Sequence, residues 1–167
     1  AYFLKPLFAG HDRSAVEVFA YSAVARPDAE TGWFRAHTEH WRDLRGFRPD
    51  AAAALVRRDG IDVLVDLGGH TQRHPLALFA LAPAPAQVAW LGYPATTGLP
   101  QIGYRLTDAG SDPPGDADRY HVERLVRLPV PAYCYSPPPD APGVAAPPSA
   151  AGAAITFGSF NNLAKVT

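Results

Sequence analysis

The stretch IDVLVDLGGHT, Ile61–Thr71, joins a run of β-forming residues to an abrupt glycine turn. The first seven residues are mostly apolar and turn signals flank them, which is typical of a parallel strand covered on both faces. Asp66 could act as a base at the end of this strand, but we favour a role in capping the following glycine amides. The sequence therefore predicts a buried strand that delivers the polar loop Gly68–Thr71.

A second strand and loop, QVAWLGYPATTG, occupies Gln87–Gly98. Ligands of open parallel sheets bind beyond the carboxyl ends of the strands, where loop and helix N–H groups point into one crevice. We therefore expect the two loops to lie side by side and to form a polar cleft for a small molecule. The hydroxyl groups of Thr71, Thr96 and Thr97 are candidate donors to sugar or phosphate oxygens.

Helical and strand patterns alternate along the chain. The predicted helices cover residues 1–11, 31–41, 51–58 and 76–81, and the predicted strands cover 16–22, 61–67, 87–91, 103–107, 123–128 and 155–160. Such alternation indicates βαβ units, because each crossover between parallel strands packs a helix back onto the sheet. The predicted fold class is α/β, with a Rossmann-like parallel sheet.

A proline-rich stretch divides the chain. Residues 129–150 contain eight prolines and few core-forming side chains, which predicts an extended linker. We expect residues 1–128 to form one lobe that lacks its start, and residues 151–167 to begin a second, truncated lobe. The chain contains no methionine and opens inside a helical pattern, so we expect a fragment of a longer polypeptide.

Composition excludes several classes of protein. The formal net charge is −1 without a block of either sign, so nothing indicates a nucleic-acid or membrane surface. No apolar run approaches the roughly 20 residues that span a bilayer. The single cysteine, Cys134, excludes an internal disulfide and is expected to be buried or half-buried. These features predict a soluble, cytoplasmic protein.

His70 and His74 are spaced like two metal ligands on one helical face. The preceding glycines and Pro75 place both in a loop or at the entry to a helix, however, so we favour a neutral hydrogen-bonding role for His70. A small metal-dependent hydrolase remains an alternative. The chain lacks GxGxxG, P-loop, HExxH and GxSxG sequences, which removes the usual support for dehydrogenases, NTPases, zincins and serine hydrolases.

Four blocks of the chain closely resemble one family. They are DGIDVLVDLGGHT (59–71), LFALAPAPAQVAWLGYPATTGL (78–99), YRLTDAGSDPPG (104–115) and ITFGSFNNLAKVT (155–167). In this order they resemble the catalytic region of the O-GlcNAc transferase and SPINDLY-like glycosyltransferases, particularly bacterial members that carry tetratricopeptide repeats. The block PAP-Q-x-x-WLGYP-x-T-x-G is the most specific of them.

The resemblance implies two Rossmann-like lobes in the GT-B arrangement and an inverting transfer of sugar to Ser or Thr of proteins. The implied donor is a nucleotide-sugar, most commonly UDP-GlcNAc, and no metal or other cofactor is required. By resemblance, the sugar pocket and the donor site involve Leu91, Gly92, Tyr93, Pro94, Asn162 and Lys165. His70 and Thr71 match a loop near the sugar and the acceptor, and Lys165 matches a lysine that meets the donor diphosphate.

Two parts of the family pattern are absent, namely an Asp-x-x-x-His segment expected before Ala1 and most of the nucleotide-binding lobe expected after Thr167. We therefore expect the 167 residues alone to be catalytically inactive. A non-catalytic binding module and a GDP-fucose-dependent protein O-fucosyltransferase remain alternatives.

Overall fold

A computed structural model describes residues 2–71, 75–138 and 140–158. The chain divides into two units, Ala1–Ser136 and Pro137–Thr167. The first unit contains the helices α1 to α4 at Lys5–Gly10, Ala29–Ala36, Pro49–Arg58 and Leu76–Phe79. Its strands β1 to β6 are Phe19–Ser22, His40–Asp43, Val63–Asp66, Ala86–Ala89, Tyr104–Asp108 and Arg124–Leu128. A short 3-10 helix, Ala117–Tyr120, precedes β6.

All the strand pairs of this unit are parallel. β1 pairs with β2 in a two-stranded sheet, and β3 to β6 form a four-stranded sheet in chain order. The register brings Val65 opposite Val88, and Val88 opposite Tyr104. The predicted Rossmann-like class is confirmed, because the α/β alternation places the carboxyl ends of β3 to β6 at one edge of their sheet.

The core lies between the four-stranded sheet and the helices α3 and α4. Its largest enclosed apolar side chains are Val56, Phe79 and Ile102, each no more than 2% exposed. Tyr21 of β1 and Leu44 also pack against this cluster. Ala52 and Ala53 of α3 belong to this cluster, because small side chains allow elements to pack closely.

The predicted helix over 31–41 is wrong at its end. Asp28 caps α2 by accepting from the Thr31 amide at 2.8 Å, and the helix ends at Ala36. Trp41, which fits the helical spacing of the aromatic residues, lies instead in β2, opposite Ala20. Pairing with β1 supplies backbone hydrogen bonds to this segment, so tertiary context overrides the periodicity. The strand predicted from residue 16 begins only at Phe19.

The strand β3 is not covered on both faces as predicted. Leu64 and Asp66 are buried, whereas Val63 is 53% exposed and Val65 is 38% exposed. The helices α3 and α4 cover only the face that carries Leu64. The helix predicted to be buried over 76–81 ends at Phe79, and Leu81 is exposed.

The expectations for Cys134 and for the strand 155–160 are also wrong. Cys134 is exposed, because the buried part of this segment ends at Ala132. Among the residues of the second unit that the structure describes, 137, 138 and 140–158, only Pro148–Ala151 is helical, as one 3-10 turn. Residues 155–158 of the predicted strand 155–160 form no strand, and Ile155 and Phe157 are exposed.

None of the helices in the described residues combines the length and apolarity needed to span a bilayer.

Candidate functional site

The loop after β3 is held by the carboxylate of Asp66. This side chain is 2% exposed and accepts hydrogen bonds from the amides of Gly68 at 3.1 Å and Gly69 at 2.8 Å. The hydroxyl of Thr71 donates to the carbonyl of Gly68 at 2.8 Å and closes the turn. The capping role predicted for Asp66 is confirmed, because a short carboxylate can bind the amides of the next residues.

The loops after β3 and β4 interlock through two glycines. A Cβ atom on Gly92 would lie 1.9 Å from the carbonyl oxygen of Leu67, and one on Gly69 would lie 2.3 Å from the Cβ of Tyr93. Only glycine allows backbones to approach so closely. Leu91, just before Gly92, has a positive φ of 75°, and this backbone conformation directs the chain toward Leu67. The predicted proximity of the two loops is confirmed.

His70 joins the two loops. Its Nε2 atom lies 2.8 Å from the carbonyl oxygen of Thr97, and its ring meets the Tyr93 ring edge to face at 5.1 Å. A carbonyl oxygen can only accept, so Nε2 carries a proton in this arrangement. The hydrogen-bonding role predicted for His70 is therefore confirmed in the form of a link to the second loop.

The loop that follows β4, residues 91–98, is called the second loop. Its hydroxyl groups do not donate to a ligand as predicted but bind within the protein. Thr96 Oγ1 donates to Glu123 Oε2 at 2.7 Å, and Thr97 Oγ1 donates to Glu123 Oε1. The Thr97 amide donates to the same carboxylate at 2.6 Å. Since each hydroxyl has one proton, Thr71, Thr96 and Thr97 do not donate to a ligand in this conformation. The sequence showed the hydroxyl groups of Thr96 and Thr97 but not that the Glu123 carboxylate accepts hydrogen bonds from them.

Glu123 is a functional candidate that sequence reasoning missed. It is 4% exposed and precedes β6, yet it accepts three hydrogen bonds from a loop 26 residues earlier. Burial acts to raise the pKa of Glu123, but hydrogen bonds from Thr97 and Thr96 outweigh it and hold the pKa below its ordinary value. The carboxylate is thus stabilised in its charged form by the loop that it binds.

Arg105 supports the same loop from β5 and was also missed. It is 5% exposed, and its Nη1 donates to the carbonyls of Tyr93 at 2.7 Å and Ala95 at 3.3 Å. Its Nε lies 3.7 Å from Oδ2 of Asp112. Its inward position in the predicted strand GYRLT is the sequence signal that could have identified it. A charged residue on the buried face of a strand requires partners.

The structure brings together six of the eight residues predicted for the site, which are Leu91, Gly92, Tyr93, Pro94, His70 and Thr71. His70, Thr71 and Pro94 are exposed, so this surface is open to solvent. Tyr93, Asp66 and Trp90 border a narrow space beneath it that has no room for a water molecule. The predicted Asn162 and Lys165 lie outside the described residues, as does His74 of the alternative metal pair. Within the described ranges, no group of three His, Cys, Asp or Glu residues is placed to hold a metal ion.

Comparison with known proteins identifies relatives of the whole chain. The profile of glycosyl transferase family 41 matches residues 2–134. The chain is 48% identical to a probable UDP-N-acetylglucosamine–peptide N-acetylglucosaminyltransferase SPINDLY from Oryza sativa subsp. japonica, covering 100% of this chain and 18% of the relative. It is 37% identical to a probable transferase of the same activity, SEC, from Arabidopsis thaliana, covering 77% of this chain and 13% of the relative.

A solved structure agrees with these relatives. A mutant O-GlcNAc transferase from Thermobaculum terrenum superposes with a TM-score of 0.82 at 46% identity, covering 86% of this chain and 27% of that one. The chain therefore spans about a fifth of the length of its curated relatives, at 18% of the SPINDLY protein.

Proposed function

Because this chain belongs to glycosyl transferase family 41, we propose that it contributes the amino-terminal lobe of an inverting protein O-glycosyltransferase. The proposed reaction moves GlcNAc from UDP-GlcNAc to Ser or Thr hydroxyls of a protein or peptide. The names of the SPINDLY and SEC relatives support this donor and this acceptor class. The observation that carries the proposal is the convergence of His70 with the Leu91–Pro94 loop on one open surface.

In this proposal the sugar lies against the backbone of the second loop. Gly92 and Pro94 are exposed, and Tyr93 is half-buried beside His70. A rigid loop of this kind fixes the position of a sugar without having to reorganise during the reaction, which favours the transition state over the ground state. His70 and Thr71 face the region where the sugar meets the acceptor hydroxyl.

The proposed chemistry places negative charge on the donor diphosphate. The acceptor hydroxyl oxygen forms a bond to the anomeric carbon and releases its proton to solvent, while the bond from that carbon to the diphosphate oxygen breaks and its electron pair leaves with the diphosphate. An ammonium group close to the diphosphate stabilises the developing charge, and we assign this role to Lys165, with Asn162 near the nucleotide. The proposal requires no metal or other cofactor, because Lys165 supplies the positive charge.

The test is donor hydrolysis and peptide transfer by the full-length polypeptide that the gene encodes, with UDP-GlcNAc and GDP-fucose compared. Lys165→Ala is expected to reduce turnover at least a hundredfold, as loss of a transition-state charge contact does. Lys5, the only other lysine of the 167 residues, forms an exposed ion pair with Glu30, so Lys5→Ala is the matched control. It is expected to retain full turnover.

The outcomes separate the candidate functions. Turnover with GDP-fucose alone would replace the proposed donor with that of an O-fucosyltransferase. A lack of turnover with both donors would favour a non-catalytic binding module. The 167 residues assayed alone are expected to be inactive, and turnover by them would contradict that expectation.

A further inference from the structure

Two buried side chains of opposite charge form hydrogen bonds to the second loop. Glu123 accepts from the amide of Thr97 at 2.6 Å and from the hydroxyls of Thr96 and Thr97. Arg105 donates to the carbonyls of Tyr93 and Ala95. Glu123 therefore accepts hydrogen bonds from N–H and O–H groups of the loop, while Arg105 donates hydrogen bonds to its carbonyl oxygens.

We propose that Glu123 and Arg105 are positioning residues for the transfer reaction, which fix the 93–97 loop and, through Thr97, the ring of His70. This inference rests on the function proposed above and adds two residues that lie beneath the exposed surface. Both are enclosed, at 4% and 5% exposure, so their role is to orient the groups that would meet the sugar.

The connection to His70 is direct. The amide and hydroxyl of Thr97 bind Glu123, and the carbonyl of Thr97 lies 2.8 Å from His70 Nε2. Thr96 Oγ1 also accepts from the amides of Gly98 at 3.1 Å and Val122 at 3.3 Å, which makes it a second link between the loop and the start of β6. Rotation of the loop would therefore break several hydrogen bonds together.

A purely structural role explains less of this arrangement. A buried charge costs free energy unless it is paired, and well-packed apolar residues often give equal stability. Here both charges are directed at one loop, and the second oxygen of Glu123 is used on Thr96 of the same loop. Buried charges of this kind pre-organise a site because hydrogen bonds to ions are stronger and more directional than those between neutral groups.

The experiment uses Glu123→Gln in the full-length protein, with Asp59→Asn as the matched control. Asp59 is also an enclosed carboxylate with three hydrogen-bond donors, but these come from Tyr21 and Arg42, which lie outside both loops. Hydrogen–deuterium exchange of residues 91–99 and the kcat/KM for donor are measured for both variants. We expect Glu123→Gln to speed exchange in this loop and to lower kcat/KM about tenfold, mainly through kcat. Asp59→Asn should change neither.

The results discriminate between the two roles. Unchanged loop exchange, or faster exchange with unchanged kcat/KM, would overturn the inference, as would an equal loss of kcat/KM in the control. If Glu123→Gln fails to fold, Thr97→Val removes one hydroxyl donor and provides the same comparison. If the unaltered protein turns over neither donor, the proposed function fails, and loop exchange alone decides whether Glu123 positions the loop.

Discussion

His70 Nε2 and the carbonyl oxygen of Thr97 lie 2.8 Å apart, although the residues are 27 positions apart in the chain. This contact joins the loop that follows β3 to the loop that follows β4. The Tyr93 ring against His70 reinforces it. The candidate site is therefore one assembled surface at the carboxyl edge of the parallel sheet.

Replacement of His70 should impair transfer in the full-length protein. We expect His70→Ala to lower kcat/KM for the donor by about tenfold, which corresponds to roughly 1.4 kcal/mol, because the hydrogen bond that joins the two loops beside the proposed sugar position is lost. His37 is the matched control, since it also meets a backbone carbonyl, that of Trp33, at 2.8 Å but lies after α2. Steady-state kinetics showing equal losses in the two variants would argue against a local role of His70.

Gly92 should tolerate no side chain. Its substitution by alanine would place Cβ 1.9 Å from the carbonyl oxygen of Leu67, and this oxygen belongs to the backbone, so it cannot simply rotate away. We expect Gly92→Ala to lower the free energy of unfolding by about 3 kcal/mol. Gly103→Ala, where no atom lies within 4 Å and φ is not positive, should change it little. Urea denaturation of both variants measures the difference, and equal midpoints would show that the loops can separate without cost.

Stability should fall in acid through Glu123. Its pKa in the folded chain lies below the ordinary value of 4.5, so the unfolded chain binds a proton more readily than the folded one. The stabilisation is therefore fully present above about pH 5 and is lost as the pH falls through the lowered folded pKa. We expect Glu123→Gln to flatten the decline in unfolding free energy below that pH. Denaturation curves at several pH values measure it, and parallel declines in both proteins would contradict this assignment.

The core beneath the site should depend on Phe79. This side chain is 2% exposed between α4 and the sheet, so Phe79→Ala should lower the free energy of unfolding by about 3 to 5 kcal/mol through lost burial and the cavity left behind. Phe157→Ala is the control, because Phe157 is 94% exposed. Thermal or chemical denaturation showing a comparable loss in the control would contradict the assigned core.

Local patterns located the elements better than their ends. The aromatic spacing from Trp33 to Trp41 fits a helix, but pairing of Trp41 with Ala20 makes the last part a strand. Similarly, the apolar run of β3 predicts cover on both faces, whereas Val63 and Val65 are exposed on one. The sequence of a single strand shows which of its residues are apolar enough to be buried. Which of them are buried depends on the helices and strands that pack against it.

The sequence by itself determined the α/β alternation, the two glycine-containing loops after β3 and β4, and the family blocks that carry Leu91–Pro94, His70 and Thr71. These follow from local backbone preferences and from the period of apolar residues. Only the tertiary structure decided that Glu123 and Arg105 hold the second loop, and that the Thr96 and Thr97 hydroxyls are directed inward. Such partners are brought together by chain segments far apart in sequence, and a buried charge acquires its role only from the groups that surround it.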